Sequence, residues 1–168
     1  MVLIVNTTDD GFLTGEVSEE LAARGVEYQV IETGDMYISN CIGCNYCFLK
    51  TPGVCCIKDD YQEIFKKIIN ADQFWVITDT ALGFMNHKGK NVFDRILPAL
   101  NMYLEFRGKQ MRHTIRYGKS PDIGVIYRGK ADGDYMNKWN ERCTANLDSR
   151  PLGAYEGNCW KEATACMQ

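Results

Sequence analysis

Three segments of this chain, Val2 to Val5, Phe74 to Ile77 and Ile123 to Tyr127, are apolar at every position apart from one glycine, instead of at every second position. A strand with one wet face alternates. A strand that is apolar throughout is covered on both faces, as happens in a parallel sheet held between two layers of helices. Val26 to Ile31 alternates apolar with polar residues and reads as a further strand. Between these strands the period changes to that of helices. After Thr14, read as an N-cap, Val17, Leu21 and Ala22 mark a short helix that stops at Gly25. Tyr61, Ile64, Phe65, Ile68 and Ile69 recur at helical spacing, with Asp60 and Glu63 placed as a capping box. Val92, Phe93, Ile96, Leu97 and Leu100 mark a third helix, which Pro98 must kink or end. Met136, Trp139 and Cys143 mark a last one.

Strand and helix thus alternate from residue 2 to about residue 146, which predicts an α/β fold: a doubly wound parallel sheet of four to five strands with helices on both faces. The tail from Pro151 holds too few consecutive apolar residues to place a fifth strand. With no repeat, linker or low-complexity tract, residues 1–168 are expected to form a single domain. Ligands of open sheets bind beyond the carboxyl ends of the strands, so a site is expected in the loops after Val5, Ile77 and Tyr127.

A formal charge of -3 gives no long-range attraction for nucleic acid or an anionic membrane, so the expected partners are small molecules. The run Met1 to Val5 lacks a positive flank and the length of a signal peptide, and no segment reaches the length of a bilayer span. A cytoplasmic protein is expected. In that reducing setting clustered cysteines mark metal or redox chemistry more often than disulfides. Five of the eight, Cys41, Cys44, Cys47, Cys55 and Cys56, fall in one loop, while Cys143, Cys159 and Cys166 are scattered and read as packing or free thiols.

Three thiolates spaced C-x2-C-x2-C can meet at one iron-sulfur cluster, with a fourth from a nearby segment. Structural zinc more often uses two separated C-x2-C pairs. Cluster, redox-cycling thiols, and zinc or packing alone are therefore the three readings of the loop, with Cys55 or Cys56 as the fourth ligand of a cluster.

The stretch "CIGCNYCFLKTPGVCCIKDD", followed by a helix, an apolar strand and "LGFMNHKGKNVFDR", resembles the NADPH-dependent FMN reductase-like flavoproteins, a subset of which are iron-sulfur flavoproteins. The positions that carry the resemblance are Cys41, Gly43, Cys44, Cys47, Cys55, Asp59, Asp60, Lys90, Asp94 and Arg95, within roughly residues 36 to 128. It implies a flavodoxin-like fold, bound FMN, NAD(P)H as donor, a small-molecule or protein redox partner, and a homodimer or homotetramer. It also favours Cys55 over Cys56, giving Cys41, Cys44, Cys47 and Cys55 as ligands of a four-iron four-sulfur cluster.

By the same resemblance the FMN phosphate meets Thr7, Thr8 and Thr14, and the flavin ring meets Asp79, Thr80, Ala81, Leu82 and Gly83. Two departures stand out. Asp9 and Asp10 would repel a phosphate if they faced it, and Asp79 and Ala81 or Leu82 replace the usual proline and aromatic residue. Asp59 and Asp60 read as helix capping, and His87, His113, Arg112 and Arg116 as ordinary polar residues. No GxSxG, HExxH, Walker or GxGxxG segment nominates a catalytic residue. The rival expectation is a flavodoxin-like thiol or metal-binding module that has lost flavin and has no turnover.

Overall fold

The computed structural model describes all residues, 1–168. Strand β1 (Val2–Asn6) leads through helix α1 (Phe12–Ala23) to β2 (Tyr28–Glu32), and the cysteine loop, with the short α2 (Tyr46–Leu49), follows. Then come α3 (Tyr61–Ile68), β3 (Gln73–Ala81), the two-residue β4 (Phe84–Met85) and α4 (His87–Asp94). A hairpin of β5 (Leu100–Arg107) and β6 (Gln110–Ile115) precedes β7 (Asp122–Arg128), α5 (Gly133–Leu147), β8 (Pro151–Glu156) and α6 (Trp160–Ala165).

The five long strands of the main sheet are parallel and lie in the order β2-β1-β3-β7-β8. Because successive side chains of a strand point to opposite faces, each all-apolar strand feeds two cores at once. Leu3, Val5, Phe74, Val76, Ile123 and Val125 pack with α3, α4 and α5 on one face. Val2, Ile4, Trp75, Ile77 and Ile126 pack with α1 and α6 on the other. The doubly wound architecture expected from the three apolar runs is the one found, and the undecided fifth strand is β8. No helix is long and apolar enough to cross a membrane.

Several local readings need correction. Thr14 is no N-cap: α1 starts at Phe12, Gly11 is its N-cap residue, and Thr14 is buried inside the first turn. The capping box does not form, because Asp60 accepts from the Tyr37 N–H at 2.7 Å and Glu63 pairs with Lys66 at 2.7 Å. The loop expected after Ile77 is largely a hairpin: β3 continues to Ala81, turns at Leu82 and Gly83, and returns as β4. The third helix ends at Asp94, a 3-10 turn at Leu97–Ala99 contains Pro98, and Leu100 opens a strand. Arg112, read as an ordinary polar residue, is buried and bonds Asn146 and Gln110.

Candidate functional site

The loops after β1, β3 and β7 meet at the carboxyl edge of the sheet, where doubly wound folds hold ligands. The first is built on Asn6, which is fully buried. Its Oδ1 accepts from the Thr8 N–H at 3.0 Å and the Thr8 hydroxyl at 2.8 Å. Its Nδ2 donates to the Asp10 carbonyl at 3.0 Å and to Glu32 at 2.7 Å. Thr7 donates its hydroxyl to the Ile77 carbonyl at 3.0 Å. Thr7 and Thr8 therefore have their protons committed within the protein. Thr14 differs: it is 4% exposed and its Oγ1 has no partner.

The two acids of this loop are both taken up in ion pairs. Asp9 pairs with Lys88 at 2.5 Å, and Asp10 pairs with Arg128 at the end of β7. Asp10 also accepts from the Phe12 N–H at 3.0 Å, so a carboxylate already sits on the first turn of α1. The Arg128 guanidinium, followed by that N–H, holds the Asp10 carboxyl below its ordinary value.

In the second loop Asp79, Thr80 and Ala81 are strand residues, and Leu82 and Gly83 form a two-residue turn with φ of 53° and 81°. Positive φ at both positions is the mirror turn that matches strand twist, and it suits Asn-Gly far better than Leu-Gly. The Leu82 side chain nevertheless stands fully in solvent. Arg128 Nε donates to Asp79 at 2.9 Å, so one guanidinium ties the first loop to the second. Thr80 donates to the Arg128 carbonyl at 3.1 Å, and the Asp132 N–H donates to the Gly83 carbonyl at 3.1 Å, which brings in the loop after β7.

The cysteine loop is held differently. Arg95, 1% exposed, donates to the Ser39 carbonyl at 3.3 Å and the Ile57 carbonyl at 3.4 Å, on either side of the five cysteines. It also makes an ion pair with Asp59 in which both side chains are buried. Asp59 accepts in turn from the Ser39 N–H at 2.9 Å and the Tyr61 N–H at 3.2 Å. The Tyr61 ring lies 4.6 Å from the guanidinium carbon. Asp59 is thus partner to a buried cation more than a helix cap, and both ends of the loop are fixed on one arginine.

Within the loop all five thiols are half-buried. Burial pushes the Cys47 thiol up, and the charges of Cys55, Cys41 and Cys44 push it further, so the four expected ligands are electrostatic neighbours. They are not converged, since no group of three His, Cys, Asp or Glu side chains is gathered so as to hold a metal ion. Cys44 instead has its sulfur 3.3 Å from that of Cys56. Elsewhere burial pushes Cys143 up to about 11, as expected for a packing thiol. His113 bonds the Asn101 carbonyl at 2.8 Å and stacks on Phe48 of α2 at 5.1 Å, docking the hairpin on the cysteine loop.

No family model matches the chain. Over 104 residues, 62% of the chain, it is 35% identical to an iron-sulfur flavoprotein of Methanocaldococcus jannaschii. Over 84 residues, 50% of the chain, it is 33% identical to an iron-sulfur flavoprotein of Archaeoglobus fulgidus. The match spans about half the length of these relatives, 51% of the first and 40% of the second. Among solved structures, the NAD(P)H:quinone oxidoreductase from Methanothermobacter marburgensis superposes with a TM-score of 0.65 at 14% identity, over 99% of this chain and 94% of that one. Megasphaera elsdenii flavodoxin does so with a TM-score of 0.57 at 13% identity, over 99% and 98%. This chain has the flavodoxin-like fold.

Within that fold the residues expected at the site fall into two groups. Thr7, Thr8 and Thr14 share the first loop and its helix, and Asp79, Thr80, Ala81, Leu82 and Gly83 share the hairpin beside it. Sequence reading missed Arg128, which joins them, and Asn6, which shapes the first loop. A signal for Arg128 was present: a charged residue followed by glycine closes an otherwise apolar central strand.

Proposed function

We propose that this chain is an FMN-binding redox protein in which Cys41, Cys44, Cys47 and Cys55 hold a four-iron four-sulfur cluster. The observation that carries the reading is that α4 braces both loops. At its start Lys88 pairs with Asp9, and Gly89 lies so close to Thr78 that an added Cβ would fall 2.4 Å from the Thr78 Oγ1. Arg95, the residue that ends the helix, clasps the cysteine loop. Eight residues of helix span about 12 Å, which sets the scale of the separation between the two sites.

The residues fit FMN at one observed point, the buried and unpartnered Thr14 hydroxyl in the first turn of α1, where a phosphate also gains from free helix amides. When bound, FMN supplies one- and two-electron redox chemistry. The chain's part is to hold it. Thr14 would donate to the phosphate, while Asp79 to Gly83 present strand backbone and an open turn to the ring. The loop thiols fit a cluster by the chemistry of the donor set, provided that Cys44 turns from Cys56. NAD(P)H as donor, a small-molecule or protein acceptor, and a homodimer or homotetramer complete the proposal. The assembly is supported by exposed Tyr103 and Phe106 on the hairpin.

A flavin-free thiol module is favoured by one observation, the Asp10 carboxylate on the Phe12 amide. FMN titration followed by flavin fluorescence separates the two. Saturable quenching is expected, with Asp10→Asn binding FMN about three- to tenfold more tightly because a like charge leaves the helix start. Asp9→Asn, which faces solvent and Lys88, should change affinity by less than about twofold. Thr14→Val is expected to weaken binding about tenfold or more while leaving thermal stability equal or higher, since the hydroxyl it removes is unpartnered in the free protein. Absence of quenching in the parent and in Asp10→Asn would leave the module reading.

A further inference from the structure

The ligand set leaves one cysteine of the loop without a task, and that cysteine makes the closest sulfur contact in it. Cys56 Sγ lies 3.3 Å from Cys44 Sγ, whereas its neighbour Cys55 lines an apolar cavity with Tyr61 and Phe65. The two sulfurs are about 1.3 Å outside bonding distance, a gap that side-chain rotation can close. Cys44 also sits between Gly43 and Asn45, both at positive φ, so its sulfur is aimed by a sharply turned segment. Both thiols are partly open to solvent and can be reached by a small reagent.

We propose that Cys44 and Cys56 form a redox-active dithiol, oxidised by a low-molecular-weight disulfide, and that closing their bond withdraws Cys44 from the cluster ligands. In the first step the Cys44 sulfur attacks one sulfur of the small disulfide. A mixed disulfide forms and one small thiol leaves with the proton of Cys44. In the second, the Cys56 sulfur attacks the Cys44 sulfur, the protein disulfide forms, and the other small thiol leaves with the proton of Cys56. Two protein thiols are oxidised by two electrons and one small disulfide is reduced to two thiols. The dithiol stands without iron. Its effect on Cys44 as a ligand rests on the cluster reading.

The test uses the full chain purified without oxygen, equilibrated in glutathione buffers of falling reduced fraction, blocked with N-ethylmaleimide and mapped by tandem mass spectrometry, with iron counted on the same samples. A Cys44–Cys56 linkage is expected in the parent and in Cys55→Ser and is absent in Cys56→Ser. Under reducing conditions Cys56→Ser should keep the parent's iron, while in oxidising buffer the parent loses iron and Cys56→Ser retains it. A linkage between other cysteines, or none at full oxidation, overturns the proposal. So does a reduced Cys56→Ser protein as depleted of iron as Cys44→Ser, because Cys56 would then be a ligand. If no form of the protein holds iron, the cluster reading fails, and the linkage map still decides the dithiol by itself.

Discussion

Replacing Arg95 by leucine is expected to destabilise the protein by about 3–5 kcal/mol, because it strands a buried carboxylate. Asp59 and Arg95 both have side-chain exposures of 0%, and the guanidinium is the only cation in contact with that acid. Leucine fills much of the space but leaves Asp59 with only the Ser39 and Tyr61 amides. The same change removes the bonds to the Ser39 and Ile57 carbonyls, so each end of the cysteine loop loses a tether at once. Urea unfolding would show a large fall in midpoint. Pairing Arg95→Leu with Asp59→Asn should recover part of it, since no uncompensated charge then remains.

The pH dependence follows from the same pair. Burial pushes the Asp59 carboxyl up, but the Arg95 guanidinium and the Ser39 amide outweigh it and hold the group below its ordinary value. A depressed carboxyl stabilises the fold above its unfolded pKa, and that contribution is lost as pH falls through the folded one. The parent should therefore lose stability on the acid side of the ordinary carboxylate range. Arg95→Leu should show less of that acid-side loss.

The second large effect lies in the sheet. Gly124 of β7 faces Trp75 of β3, and a Cβ at position 124 would fall 2.3 Å from the six-membered ring. Trp75 is fully buried and its Nε1 donates to Gln73 at 3.2 Å, so the ring cannot swing aside without giving up that bond. Gly124→Ala is expected to cost about 1–3 kcal/mol or more by overpacking. For a domain of this size that is a fall of roughly 3–10 °C in Tm, readable by calorimetry. An unchanged Tm would show that β3 and β7 can separate without strain.

The apolar strands were legible because burial on both faces leaves a run without alternation, and β1, β3 and the apolar part of β7 lie where those runs are. Strand β8 was not, because it is an edge strand of half-buried residues broken by Gly153 at φ 98°. The β5–β6 hairpin was hidden too: Leu100 falls on the helical period of Val92 and Phe93, and most of β5 is exposed. Thr14 looked like a cap, but Asp10, four residues earlier, performs that task on the Phe12 amide. Loop positions at the site could be read from strand ends alone. The buried pair between residues 36 positions apart, Asp59 and Arg95, could not, since nothing local marks either as the other's partner.

A flavin site and a cluster-binding cysteine loop braced by one helix together fix what the purified protein should contain. The full chain, produced with ample iron and purified without oxygen, is assayed for FMN, iron and acid-labile sulfide, alongside Cys47→Ser. About one FMN and about four each of iron and sulfide per chain are expected, with iron and sulfide lost and FMN kept in the variant. A colourless parent protein that holds no iron and takes up no added FMN would contradict the account.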